Sequence, residues 1–170
     1  VSPKKISADE WIEVMEVAHS IDLTTSASMV IGFGETVENR MNHYDRVRNA
    51  QDRSLEKGFR GFGVFISWPL QHNENTSMGR SRHSDRYGAG AIEYLRNLAL
   101  GRIYLDNIQH HQSSWPTMGP EIAQIGLHFG CDDIGSTMME ENVVSQAGGA
   151  SKERWSMSPE ELQEFIRGAG

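Results

Sequence analysis

Apolar positions along the chain fall into alternating helical and extended patterns. Trp11, Ile12, Met15 and Ala18 recur at helical spacing behind Ser7-Ala8-Asp9-Glu10. That tetrad is a capping box, in which Ser7 and Glu10 each satisfy the other's backbone N–H. The spacing predicts a first helix ending near His19. Leu23 to Ile31 is dense in Thr, Val and Ile and predicts a strand, broken at Gly32-Phe33-Gly34. A second helix begins at Thr36, with Val37, Met41, Tyr44 and Val47 as its apolar stripe. Phe62 to Trp68 predicts a second strand, and Ala91 to Leu105 the clearest helix, carrying Ile92, Leu95, Leu98, Ala99 and Ile103. Between them Leu70 to Gly90 is polar, and a loop that long in a compact domain is usually functional or mobile. Ile108 to Trp115 predicts a third strand, and Gly119-Pro120 a helix faced by Ile122, Ile125 and Phe129 and ended by Gly130. Ile134 to Met139 predicts a fourth strand. Ser158-Pro159-Glu160-Glu161 is a second capping box, opening a helix with Leu162, Phe165 and Ile166.

One helix followed by four strand–helix units implies an α/β fold with a parallel sheet. Two architectures satisfy the pattern: a small open sheet, or half of a TIM-type (β/α) barrel, since a whole barrel takes about 250 residues. The length, 170 residues, fits a single domain spanning 1–170. Its 16 Lys and Arg against 23 Asp and Glu argue against a nucleic-acid partner, and no apolar run approaches the roughly 20 residues of a membrane span. A lone cysteine, Cys131, excludes a disulfide framework or a cysteine-held zinc or iron–sulfur site made by this chain alone. With no secretory signal visible, the expected compartment is the cytoplasm. The start at Val1-Ser2-Pro3 and the 17 glycines fit a piece of a longer protein, and methionine removal or a processed terminus fits the start as well.

In either architecture ligands bind at the carboxyl ends of the strands. After strand one, Gly32, Gly34 and Glu35 combine close backbone approach with a carboxylate. Glu35 either holds a ligand hydroxyl or amine, or merely complements the helix dipole. The turn lacks the Lys-Ser/Thr ending of a phosphate loop. Glu140 and Glu141 are adjacent, so one alone faces a pocket from an extended segment. Beside Met138 and Met139 its raised pKa would suit proton transfer, while two helix-start acids fit the pattern equally. Trp68 and Trp115 stack a flat ring or fill core. Tandem His110 and His111 point to opposite faces, and His128 with Cys131 is two ligands where a metal needs a convergent set, so no metal site is expected.

Longer strings carry a resemblance. Val30-Ile31-Gly32-Phe33-Gly34-Glu35-Thr36 with Arg40 and His43, Phe65-Ile66-Ser67-Trp68 with Gln71, Asn75 and Thr76, and Tyr94-Leu95-Arg96 form one series. Ile103 to Asn107, Gln112-Ser113-Ser114-Trp115, Gly119-Pro120 and Gly135-Ser136-Thr137-Met138-Met139-Glu140-Glu141-Asn142-Val143-Val144-Ser145 continue it. Together they resemble the cyclic dehypoxanthine futalosine synthases, radical S-adenosylmethionine enzymes of the futalosine route to menaquinone. Aminofutalosine synthase and the deazaflavin-forming synthases of coenzyme F420 biosynthesis are close relatives. The last string favours the cyclase.

The likeness runs from Lys5 to Gly170 and is weakest over His72 to Gly90. It implies the second half of a barrel, with the cluster-binding amino-terminal half and its Cys-x-x-x-Cys-x-x-Cys motif absent from this chain. It also implies S-adenosylmethionine and a [4Fe-4S] cluster in the whole enzyme. There a 5′-deoxyadenosyl radical abstracts hydrogen from C4′ of the substrate ribose, and the carbon radical adds to the benzoate ring. This chain alone would then be inactive.

On that resemblance Gly32, Gly34 and Glu35 lie against S-adenosylmethionine. Trp68, Gln71, Asn75 and Trp115 face the substrate, with Asp106 and Asn107 as weaker candidates at the opposite mouth. Glu140 or Glu141 binds substrate or accepts the late proton. Exposed sheet edges would pair with the missing half or with another copy. A sibling synthase, or a non-catalytic half-barrel binding module, is the alternative expectation.

Overall fold

The computed structural model describes residues 4–138, 143–147 and 156–170. The Ser7 capping box closes both ways, Ser7 N–H to Glu10 Oε2 at 2.7 Å and Glu10 N–H to Ser7 Oγ at 3.2 Å, and starts α1 (Ala8–Ser20). β1 (Thr25–Ile31), α2 (Val37–Glu56) and β2 (Phe62–Pro69) follow. One 3-10 turn, Ser84–Arg86, interrupts the long loop before α3 (Ala91–Tyr104). β3 (His110–Gln112), α4 (Trp115–Met118), α5 (Pro120–His128), α6 (Val143–Ala147) and α7 (Pro159–Arg167) complete the described chain.

The three strands form one parallel sheet in the order β1-β2-β3. Alternation along them separates two faces. Ala27, Met29, Ile31, Phe65 and His111 are buried under the helices, while Ser28, Val30, Ile66 and Trp68 stay partly or wholly exposed on the other face. The register pairs Ser28 with Ile66 and Val30 with Trp68, so the open face is continuous across strands. This is a mixed α/β fold with sequential parallel strands, compatible with part of a (βα) barrel.

Two expected strands are shorter than their sequence suggests. Trp115 opens α4 rather than ending β3, because Pro116 has no N–H for a ladder. The fourth strand is reduced to a single parallel bridge, Gln112 to Asp133, with Ser113 N–H on the Asp133 carbonyl at 2.8 Å. Directly after it Gly135 takes φ +91°, its N–H held by Asp133 Oδ1 at 2.6 Å, and Met138 takes φ +55°. These turns end extended pairing before a strand can form.

Helix faces also differ from the expected stripes. α3 turns Tyr94, Leu98 and Gly101 inward and leaves Ile92 and Ile103 outside. Gly101 faces the core closely, and a Cβ there would sit 3.4 Å from Phe65 and from Tyr44 Oη. α2 buries Tyr44, Val47, Ala50, Gln51 and Ser54 but exposes Val37. Two cores result. The larger joins β1, β2, α2 and α3, and the smaller gathers Trp115, Ala123, Ile134, Met157 and Leu162.

Gln51 fixes the start of β2. Its buried amide accepts Phe62 N–H at 2.7 Å and donates to the carbonyls of Phe62 and Asn107 at 3.2 Å each. Unmet buried polar groups cost about 1–3 kcal/mol each. Gln51→Leu is therefore expected to destabilise the protein by about 2 kcal/mol or more. Denaturant midpoints check this, and an unchanged midpoint contradicts the assignment.

Candidate functional site

Parallel strands end together, and over their carboxyl ends lies a cavity of about 720 Å³. β1 and β2 give it Val30, Trp68 and Pro69, followed by Leu70 and Gln71. β3 and the turns beyond give Gln112, Ser114, Thr117, Asp133, Gly135 and Ser136. Met138, Val143 and Val144 also line it. The wall is thus largely apolar over β1 and β2 and polar over β3, the composition of a small-molecule site.

Trp68 is 38% exposed and presents its indole to the cavity. Gln71 lines it too, donating from Nε2 to the carbonyls of Pro69 at 3.0 Å and Thr117 at 3.3 Å. Asn75 stands away from the wall. It is exposed, with its amide 3.5 Å from the Gln146 carbonyl. Trp115 is fully buried in the smaller core, and its Nε1–H donates to the Ser136 carbonyl at 3.0 Å. It therefore supports the wall that Ser136 forms, without lining the cavity. Glu140 and Glu141 lie outside the described residues.

Ser114 is held from behind. Tyr94 Oη accepts its N–H at 2.7 Å, and Thr117 Oγ1 donates to its Oγ at 2.8 Å. Burial pushes the Tyr94 hydroxyl up to about 12, so it stays protonated as an anchor.

The Gly32–Glu35 turn closes on itself. Glu35 accepts Gly32 N–H at 2.9 Å, Phe33 N–H at 2.7 Å and Arg40 Nε–H at 2.8 Å. Arg40 also bridges to Glu93 on α3. Burial alone would raise the Glu35 carboxyl. The N–H groups of Gly32, Glu35 and Phe33, with the Arg40 guanidinium, outweigh it and hold the group below the usual carboxylate range. Gly32 has φ +97°, and a Cβ there would lie 2.6 Å from the Gly88 backbone, which donates to the Gly32 carbonyl at 2.7 Å. The close approach that this glycine permits is to the chain's own loop.

Asp106 pairs with Arg48, and Asn107 donates to Asp52 Oδ1 at 2.8 Å. Both stand before β3, at the mouth opposite the cavity. His110 meets Asp132 at 2.8 Å, and His111 is buried beside Phe65. No group of three His, Cys, Asp or Glu side chains converges among the described residues, and Cys131 is buried with its thiol pushed up to about 12 by burial. No helix among the described residues is long and apolar enough to cross a membrane.

Gln112, Ser114, Asp133 and Ser136 were not singled out as site residues from sequence. Setting a fourth strand at Ile134 to Met139 moves its mouth to residues 138–142. The true end of pairing, at Asp133, carries the signal in the Asp-x-Gly turn that follows.

Known proteins match this chain closely. The model of the CofH/MqnC C-terminal region matches residues 59–170. A cyclic dehypoxanthine futalosine synthase of Halalkalibacterium halodurans is 43% identical over all 170 residues, which cover 42% of that protein. One of Streptomyces coelicolor is 39% identical over the same span, 39% of its length. An aminodeoxyfutalosine synthase of Thermus thermophilus is 36% identical, again over the whole chain and 43% of its own length. The chain thus spans about two fifths of the curated relatives it matches.

Because the folded Glu35 carboxyl is depressed below its ordinary value of 4.5, its contribution to stability is complete above that pH. It is lost as pH falls through the lower folded value. Glu35→Gln is expected to be less stable than the parent at neutral pH and to lose less stability on acidification. Thermal midpoints across this pH range check it, and parallel curves contradict it.

Proposed function

The chain belongs to the family of the CofH/MqnC C-terminal region, and from that membership we propose that it forms the substrate-holding part of a cyclic dehypoxanthine futalosine synthase, acting in menaquinone biosynthesis. One observation carries the reading. The cavity wall is built from the strings that are similar to that family, through Trp68 and Gln71, Gln112 and Ser114, Gly135, Ser136 and Met138, and Val143-Val144. A guest with an aromatic ring and a hydroxylated sugar suits a wall with an indole and aliphatic side chains on one flank and amide, hydroxyl and carboxylate groups on the other.

The described residues fit no iron–sulfur cluster, since the single cysteine is buried and no ligand group converges. Toward S-adenosylmethionine the Gly32–Glu35 turn would offer the backbone of Gly34, where a Cβ would meet the Arg86 carbonyl at 3.9 Å, while Glu35 already accepts from the N–H groups of Gly32 and Phe33. Binding and orienting the guest is this chain's part in the reaction. Trp68 stacks the ring, and Gln71 and Ser114 hold polar groups. Rearomatisation after the radical adds to the ring releases one proton, taken by Glu140 or Glu141, and one electron, taken by a one-electron acceptor outside this chain. One end of the sheet, the edge of β1, pairs with no described strand, and beside it His43 has a buried Nε2 that finds no partner among the described residues. The single domain of residues 1–170 would complete its ring there, against a cluster-bearing half of the same enzyme or, in isolation, a second copy.

In the full-length enzyme, dehypoxanthine futalosine is expected to turn over in preference to the aromatic partners of aminodeoxyfutalosine synthase or of the deazaflavin-forming synthases. The opposite preference overturns the assignment. Trp68→Ala should raise KM about tenfold, the equivalent of about 1.4 kcal/mol. Glu140→Gln and Glu141→Gln turning over at the parent rate would remove the carboxylate from the mechanism.

A further inference from the structure

Asp133 is the only ionisable side chain among the described residues that line the cavity. Its carboxylate is half used. Oδ1 accepts the Gly135 N–H at 2.6 Å, which fixes the side chain on the turn, and Oδ2 takes no hydrogen bond from any described residue. The backbone is fixed as well, through the bridge to Gln112 and the bond from Ser113 N–H. A carboxylate anchored by one oxygen, on a residue that lines a pocket, is a preorganised acceptor for a neutral donor.

Strand order gives this acceptor a direction. Val30 and Trp68 come from β1 and β2, whereas Gln112, Ser114, Asp133 and Ser136 lie along β3 and the segment beside it. We propose that Asp133 binds the sugar hydroxyls of the guest and sets which way round it lies, with the hydroxylated end toward Asp133 and the aromatic acid away from it. Like charge reinforces the choice, because a benzoate placed against Asp133 would bring two carboxylates together in a confined space. Resting on the functional reading above, this adds a residue that selects orientation.

Asp133→Asn tests it, since the amide oxygen keeps the Gly135 bond while the other position becomes a donor. The full-length enzyme is titrated calorimetrically with dehypoxanthine futalosine and with an analogue whose sugar hydroxyls are replaced by hydrogen. The variant is expected to bind the hydroxylated guest about tenfold to a hundredfold more weakly and the analogue as well as the parent does. Equal weakening of both ligands makes Asp133 a merely structural residue and overturns the proposal. Unchanged affinity for both overturns it alone, leaving the functional reading in place. Failure of the parent enzyme to bind the guest overturns that reading and the proposal with it.

Discussion

A parallel sheet that the described helices cover on one face only is the constraint from which the rest of this structure follows. Because side chains alternate, the residues that seat the helices, such as Ala27, Met29, Ile31 and Phe65, fix the opposite orientation of Ser28, Val30, Ile66 and Trp68. Parallel strands need crossovers, so every loop at the carboxyl end lies at the same rim. The cavity is the meeting of those two facts. Its floor is the end of the open face and its walls are the rim loops.

The loops that shape the rim are stiffened by their own polar groups. Glu35 gathers the N–H groups of the first turn and ties them to Arg40, and Gly32 lets the second loop close on it through Gly88. Tyr94 holds Ser114 from the core side, and Trp115 holds Ser136 through its indole N–H. Each buried donor or acceptor used in this way avoids a desolvation cost and fixes a wall residue at the same time. Conserving the cavity's shape and keeping these groups satisfied are one requirement.

Much of this was legible in the sequence where short-range chemistry decides. Both capping boxes, the breaks at Gly32 and Gly119, and the strands at Thr25–Ile31 and Phe62–Pro69 depend on residues within a few positions of one another. Facing was less legible, because α3 has apolar residues on most sides and buries Tyr94, Leu98 and Gly101 while Ile92 and Ile103 stay outside. The fourth strand was misplaced for a similar reason. The sequence from Ile134 to Met139 has the right composition, yet the turn at Gly135 and the Asp133 cap end the pairing. That shift hid the cavity's carboxylate and made Glu140 and Glu141 the natural candidates. Trp115 shows the limit of residue type, since an indole near a strand end reads the same whether it faces guest or core.

A crystal structure of the full-length enzyme with dehypoxanthine futalosine bound tests the central claim most directly. The account predicts the guest over the carboxyl ends of β1, β2 and β3, its ring against Trp68 and its sugar within hydrogen-bond distance of Asp133. A guest lodged on the outer helical layer, or at the opposite mouth beside Asp106 and Asn107, would contradict it.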